Sequence, residues 1–251
     1  QENKVNSDFV RKTIEEYIET IGEGDRILEV SFFGGTFTAI DINKQRELLA
    51  VAKEYKDKKI IDYIRLSTRP DYIDEFILDH LKSYKVDIIE LGVQSLDKEV
   101  LHKSGRGHDY DEVLKASKLI KEYGFTLGHQ IMVGLPEDTF EKDVETTKES
   151  IKMKPDICRI YPALTVKNTP MEDMYLEGTY KPYTLEEAVY ISAKLYKMFK
   201  ENNIQVIRIG LQPTDNIALG KDIVDGPFHP AFRELVESSI INENIYNILK
   251  D

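Results

Sequence analysis

Cysteine is nearly absent from this sequence: the 251 residues contain one, Cys158. A single cysteine excludes a disulfide within the chain and predicts a protein of the reducing cytoplasm. It also excludes an iron–sulfur cluster held by this chain alone, because such a cluster takes several thiolate ligands. Since Cys158 stands in an apolar run with no evident paired histidine, we expect a buried structural thiol.

Long apolar runs and an excess of positive charge are also missing. No run approaches the roughly 18–20 residues that a membrane span needs, so we expect no membrane partner. The formal net charge is −11, with 34 Lys and Arg against 45 Asp and Glu. This balance is not typical of nucleic-acid binding, because phosphate contacts need basic side chains, although a local basic groove is compatible with it.

Alternating apolar runs and amphipathic helices are what the sequence does contain. Six apolar runs, each joined to the next by helix or an excursion, indicate βαβ units, an α/β fold and a mostly parallel sheet. A helix precedes the first of these strands, which in a β/α repeat indicates a missing first strand. The predicted strands cover residues 26–33, 60–66, 86–93, 125–133, 157–161 and 205–209.

The regular alternation breaks after the fifth strand. Residues 163–183 contain Pro and Gly and are interpreted as an excursion. We therefore divide the chain at this point. Residues 1–162 are predicted to form a partial barrel that lacks its first strand. Residues 163–251 are predicted to contain a barrel-closing excursion, the last strand and a C-terminal helical extension.

Polar residues follow the first two predicted strands. Gly34 and Gly35 would let a ligand approach the backbone closely, and Thr36 adds a hydroxyl. A tight turn with a threonine cap explains the same residues. After the second strand, Ser67 and Arg69 could hold an anion, or Arg69 could pair with a nearby carboxylate.

The later strands also carry polar residues. Glu90 interrupts the third strand, so it should be paired or face a polar lumen. Polar residues at one end of every strand favour a barrel-mouth site. The further candidates at these positions are Gln94, Arg106, His129, Gln130, Arg159, Tyr161 and Arg208.

Four motifs occur in one order: Gly34-Gly35-Thr36, Gly92-Val93-Gln94-Ser95, Gly105-Arg106-Gly107-His108 and Met132-Val133-Gly134-Leu135-Pro136. In this order they resemble the core of the radical S-adenosylmethionine (SAM) superfamily. The resemblance is to the families of oxygen-independent coproporphyrinogen III oxidase and, more strongly, of the Elongator catalytic subunit. With the second, it extends over nearly the whole chain, including residues 207–213 and 226–234.

The resemblance implies a partial (β/α)6 barrel that binds SAM at its mouth. It assigns Gly34, Gly35 and Thr36 to the amino group of SAM, and Gln94 and Arg106 to the ribose and the methionine carboxylate. Further cofactor-binding candidates at matching strand ends are Ser67 and Gln130. Candidates for substrate or carboxylate contacts, on position alone, are Arg159, Tyr161 and Arg208.

The resemblance also implies a [4Fe–4S] cluster bound by a CxxxCxxC loop. An electron donor would reduce the cluster, and cleavage of SAM would then give a 5′-deoxyadenosyl radical. CxxxCxxC does not occur here, so we expect its ligands in a missing segment before the first helix and an inactive fragment without it. The resemblance does not extend to the acetyltransferase domain of Elongator proteins within these residues, so we do not expect tRNA acetyl transfer from them. The substrate stays open, with tRNA a candidate.

Two other functions fit the sequence. The first is a cluster-free barrel lyase or isomerase that uses Glu90 or His129 as its base. The second is a non-catalytic RNA-binding module of the same fold.

Overall fold

The structure, a computed structural model, describes residues 5–21, 26–211 and 221–250. No helix in these ranges is long and apolar enough to cross a membrane. The α-helices are α1 Ser7–Thr20, α2 Ile42–Asp57, α3 Glu75–Ser83, α4 Lys98–Lys103, α5 Tyr110–Glu122, α6 Phe140–Lys152, α7 Pro170–Leu176, α8 Leu185–Glu201 and α9 Phe232–Ile248. The strands are β1 Glu29–Phe32, β2 Tyr63–Thr68, β3 Ile88–Gln94, β4 Thr126–Val133, β5 Ile157–Pro162, β6 Thr165–Val166, β7 Gln205–Ile209 and β8 Ile223–Asp225.

The main sheet contains the six strands that the apolar runs predict. Its strand order is β1-β2-β3-β4-β5-β7, which follows the chain. The pairs β1–β2, β2–β3, β4–β5 and β5–β7 are parallel. The predicted α/β class is therefore confirmed.

The chain divides into two compact units, of which the first comprises Gln1–Gly92 and Lys115–Leu127. Its helix α1 begins where the Asn6 side chain accepts a hydrogen bond from the Phe9 amide. Val10 and Ile14, one helical turn apart, are the buried residues of that helix. On β2, Ile64 and Leu66 are fully buried while Arg65 between them is not, because successive residues of a strand face opposite sides.

The second unit comprises Val93–Leu114 and Gly128–Asp251. Its core packs one face of β4, β5 and β7 against α8, with Ile131, Cys158 and Phe199 fully buried. A capping box between Thr184 and Glu187 fixes the start of α8. Because strand residues alternate, the opposite face of β4 and β5 carries half-buried side chains, among them the candidates Gln130, Arg159 and Tyr161.

Residues 163–183 are more ordered than the predicted excursion. Strand β6 pairs antiparallel with β8, which the sequence does not predict because each strand is too short for a periodic signal. Helix α7 begins at Thr169, whose side chain accepts from the Glu172 amide, with Pro170 in the first turn. In the sequence, Pro170 indicates the start of this helix, since proline favours the first helical turn.

Candidate cofactor and substrate site

The glycines after β1 form an accessible loop in the first unit. Gly34 and Gly35 have φ angles of 105° and 127°, which favour glycine, and no atom lies within 4 Å of where either Cβ would stand. Both residues are exposed. The Thr36 side chain does not cap the helical turn that follows, so its hydroxyl is not used there. A polar head group can therefore approach this backbone closely.

The end of β2 supports that loop. Thr38 Oγ1 lies 2.6 Å from Thr68 Oγ1 and donates to the Tyr72 carbonyl at 2.9 Å. Ser67 is 7% exposed and lies in register with Glu90 of β3. Arg69 makes a two-pronged ion pair with Asp71, at 2.9 and 2.6 Å, so the carboxylate alternative for Arg69 is confirmed.

Glu90 belongs to an ion-pair network. Arg65 Nη1 donates to Glu90 Oε1 at 2.6 Å, and the same guanidinium donates to both Glu29 oxygens at 2.6 and 2.8 Å. Burial opposes the charge of Arg65, but the hydrogen bonds that Arg65 donates to Glu29 and Glu90 outweigh it and raise the pKa of Arg65. The expectation that Glu90 is paired is confirmed. Sequence reasoning missed Arg65, although a charged residue between two buried apolar ones is a signal of pairing.

Gln94, at the end of β3, is strained and incompletely bonded. Its φ of 65° lies in the left-handed region, which is uncommon for a residue other than glycine. Its side-chain oxygen Oε1 is buried and accepts no hydrogen bond within the described part of the chain. Strain and an unsatisfied buried acceptor each cost about 1–3 kcal/mol, and both are typical of ligand-binding positions.

Arg106 lies between β4 and a cavity of about 370 Å³. Its Nη2 is 3.7 Å from the Met132 sulfur, a weak acceptor. His108 holds the same loop to the strand end, with Nε2 3.0 Å from the Val93 carbonyl oxygen. Side chains that line the cavity with Arg106 include Lys98, His102 and Tyr110.

Gln130, Arg159 and Arg208 form one row across three adjacent strands of the second unit. Gln130 is in register with Arg159, and Arg159 with Arg208. All three are half-buried. Met132 and Tyr161, also in register and half-buried, form the next row. The structure thus brings these predicted residues together on one face.

His129 and Cys158 lie on the opposite face of the same strands. Both are 0% exposed. His129 Nδ1 lies 2.8 Å from the Ser150 hydroxyl of α6, which makes it a bonded core residue rather than an accessible base. Cys158 is a buried free thiol, as predicted.

The residues present do not fit an iron–sulfur cluster. Within residues 5–21, 26–211 and 221–250 no group of three His, Cys, Asp or Glu side chains could hold a metal ion. Cys158 is the one cysteine of the sequence. The open glycine loop of the first unit leaves space at its backbone for a polar organic group. In the second unit, the Gln94 oxygen, which no described residue bonds, can accept a hydrogen bond from such a group.

Two family models match the chain. The model of the radical SAM superfamily matches residues 4–150, and that of the radical SAM C-terminal domain matches residues 155–242. The chain belongs to the radical SAM superfamily.

Relatives of this radical SAM chain include a protein named for tRNA acetylation and a protein of the Elongator complex. It is 30% identical over 196 residues to a tRNA uridine(34) acetyltransferase of Methanocaldococcus jannaschii, covering 70% of this chain and 36% of that protein. It is 26% identical over 200 residues to human Elongator complex protein 3, covering 72% of this chain and 37% of that protein. The chain therefore spans little more than a third of the length of these relatives.

Solved structures confirm the fold. An Elp3 of Methanocaldococcus infernus with an N-terminal deletion of residues 1–46 superimposes with a TM-score of 0.81 at 28% identity, covering 95% of this chain and 59% of that one. The coproporphyrinogen III oxidase HemN of Escherichia coli shares the fold with a TM-score of 0.58 at 18% identity, over 78% of this chain and 45% of that one. The predicted radical SAM-type partial barrel and the resemblance to Elongator-type proteins are confirmed. With coproporphyrinogen III oxidase the chain shares the fold. Of the residues 207–213 in that resemblance, 212 and 213 lie outside the described residues.

A buried pair of acids stands beside the Gly134-Leu135-Pro136 motif of this radical SAM chain. Burial, and then the neighbouring Asp138, raise the pKa of Asp143 to about 10. Burial also raises the pKa of Asp138, whose Oδ2 accepts from the Gly134 amide at 3.2 Å. Tyr183 donates to Asp143 Oδ2 at 3.0 Å. Nothing in the sequence distinguishes Asp143 from the acidic residues common in the first turn of a helix.

Proposed function

We propose that this chain is the SAM-binding core of a radical SAM enzyme. Superfamily membership supports an enzyme of this class. The observation that carries SAM binding is Gln94, whose backbone is strained and whose buried oxygen accepts no hydrogen bond from any residue that the structure describes. A ligand hydroxyl, such as those of a ribose, would supply the missing donor.

The other proposed contacts follow from local chemistry. The exposed peptide groups of Gly34 and Gly35, with the Thr36 hydroxyl, can bond the amino group of SAM. Arg106 supplies a guanidinium suited to a carboxylate. Ser67 and Gln130 stay secondary candidates on their strands. Bound SAM supplies an adenosyl group activated at its sulfonium.

Cluster-dependent radical formation is a proposal for the enzyme together with its cluster ligands, and not for these 251 residues alone. Because the sequence contains one buried cysteine, the thiolates of a [4Fe–4S] cluster would have to come from outside the 251 residues. We assign no reaction step through the cluster to this chain.

We propose tRNA as the substrate, on the strength of the relatives named for tRNA uridine modification. The rival lyase or isomerase is less well supported. Glu90, 1% exposed, is ion-paired with Arg65, and His129 is buried in the core. The alternative is a non-catalytic module of the same fold that binds RNA.

The test is SAM binding to the purified chain, measured by calorimetry, with Gln94→Gly as the variant. We expect wild-type binding and a loss of affinity of about tenfold in Q94G, equal to about 1.4 kcal/mol for one hydrogen bond. Lys59→Gly is the matched control, since exposed Lys59 also has a positive φ, of 59°. It should leave SAM affinity unchanged. Absence of SAM binding by the wild-type chain, or an equal loss in both variants, would contradict the proposal.

A further inference from the structure

Gln45, near the start of α2, is a buried amide in the first unit. It is 1% exposed. Its Nε2 donates to two backbone carbonyls at once, that of Thr38 at 3.2 Å and that of Ile40 at 2.9 Å. Its Oε1 is buried and accepts no hydrogen bond within the described part of the chain, which is costly. The side chain is therefore bonded, through its nitrogen, to the segment that follows the glycines after β1.

Two further contacts anchor the same segment. The Thr38 hydroxyl lies 2.6 Å from Thr68 Oγ1 of β2 and donates to the Tyr72 carbonyl at 2.9 Å. The Phe37 ring contacts the Phe32 ring at the end of β1, with centroids 5.0 Å apart. Phe32 and Phe37 flank the glycine loop, which comprises residues 33–36. Their contact holds the two ends of that loop together.

The glycine loop itself is open. Gly34 and Gly35 are exposed, and no atom lies within 4 Å of either Cβ position. Glycine has the most backbone freedom of any residue, so the order of two in succession depends on what holds the ends of the loop. One end continues β1, which pairs with β2. The other end is the helical turn Phe37–Ala39, and Gln45 bonds carbonyls within this turn and directly after it.

We propose that Gln45 is a positioning residue for the amino group of SAM. Acting through the turn Phe37–Ala39, it holds Gly34 and Gly35 where their carbonyl oxygens can accept hydrogen bonds from an ammonium group. This inference rests on the proposed function, because it concerns the amino-group end of the same site. A ligand that meets a preorganised loop does not have to order it on binding, so its affinity is higher. Loss of the Gln45 amide should weaken that end of the ligand and no other.

The experiment compares two ligands of the complete chain by calorimetry. The first is SAM, and the second is 5′-methylthioadenosine, which keeps the adenosine but lacks the amino acid group. Gln45→Met keeps a side chain of similar length and removes the donor. We expect Q45M to bind SAM about tenfold more weakly, the effect of about one hydrogen bond, and to bind 5′-methylthioadenosine with unchanged affinity. The backbone amide resonances of Gly34 and Gly35, recorded without ligand, should shift in Q45M.

Tyr55→Phe is the matched control, because it removes another hydrogen bond made by a buried residue of α2. Tyr55 donates to Glu15 Oε1 at 2.6 Å, away from the glycine loop. Y55F should change neither affinity and neither glycine resonance. Gln45→Asn, which keeps the amide but is one methylene shorter, replaces Q45M if thermal unfolding shows that Q45M does not fold, and the same losses are expected.

Unchanged glycine resonances in Q45M overturn the proposal, and so does wild-type SAM affinity in Q45M. Equal weakening of both ligands also overturns it, because it indicates a purely structural role. If the wild-type chain binds SAM and not 5′-methylthioadenosine, the glycine resonances decide between the two roles. Shifted glycine resonances in Q45M, with no SAM binding by the wild-type chain, would refute the proposed function and leave the link between Gln45 and the glycine loop standing.

Discussion

Arg65 in the first unit and Arg208 in the second both place a guanidinium charge on a half-buried face of a strand, but the fold compensates the two charges differently. Each is an arginine on a parallel strand, on the face that does not pack into the apolar core. Arg65 is bonded by Glu29 and Glu90, so its charge is neutralised within the fold. Arg208 makes no ion pair in the part of the chain that the structure describes. The comparison teaches that a closed charge network stabilises the sheet, whereas an open charge is available to a ligand.

The sharpest way to test this contrast is to remove each arginine. Arg65→Met removes a hydrogen-bonded guanidinium from Glu90, which is 1% exposed, and we expect the unfolding free energy to fall by about 3–5 kcal/mol. Arg208→Met removes a charge that no carboxylate among the described residues neutralises, so stability should change by no more than about 0.5 kcal/mol. Urea unfolding measures both. Glu90→Gln, which keeps a hydrogen-bond acceptor for Arg65, should lose less than R65M. Equal losses in R65M and R208M would break the comparison.

The buried acid pair Asp138 and Asp143 shows a third way to avoid a buried charge, because a carboxyl group of the pair keeps its proton. The pKa of Asp143 is raised to about 10, so the folded chain keeps a proton that the unfolded chain releases near pH 4. Stability should therefore decrease as pH rises from about 4 towards about 10. Asp143→Asn removes this dependence, and we expect it to be more stable than wild type by about 2 kcal/mol at pH 9.

Thermal unfolding of both proteins between pH 5 and pH 9 measures that difference. Glu141→Gln is the control, an acidic residue in the first turn of the same helix. It should not change the pH profile. If D143N and wild type lose stability in parallel with rising pH, Asp143 does not hold a proton in the folded state.

Two glycines, one in each unit, allow the tightness of side-chain packing to be compared at single positions. Gly134 and Gly124 have similar φ angles, 77° and 79°, but a Cβ on Gly134 would lie 2.7 Å from the Tyr183 ring, whereas nothing lies within 4 Å at Gly124. Both alanine variants carry the left-handed backbone penalty of about 1 kcal/mol. Gly134→Ala adds a clash, so we expect it to cost about 1 kcal/mol more than Gly124→Ala. Chemical unfolding checks the difference, and equal costs would mean that the Tyr183 ring moves aside freely.

The sequence by itself determined the strands and the faces on which residues lie. Apolar periodicity predicted all six strands of the main sheet, because alternation and run length are local properties. The motif order predicted the superfamily. Arg159 and Arg208 were identifiable as polar residues in apolar strands, although the sequence left open whether they serve substrate or SAM. It also kept Glu90 and His129 as possible bases.

Only the tertiary structure decided which residues are partners. Arg65 and Glu90 are 25 residues apart, and Tyr183 and Asp143 are 40 apart. Strand register and helix packing bring such pairs together, and a local sequence pattern predicts neither of them. The same holds for His129, whose neighbour Ser150 on α6 turns a candidate base into a core residue. Burial and charge neutralisation are properties of the packed chain, so the sequence named the candidates and the fold decided which of them are buried, paired or exposed.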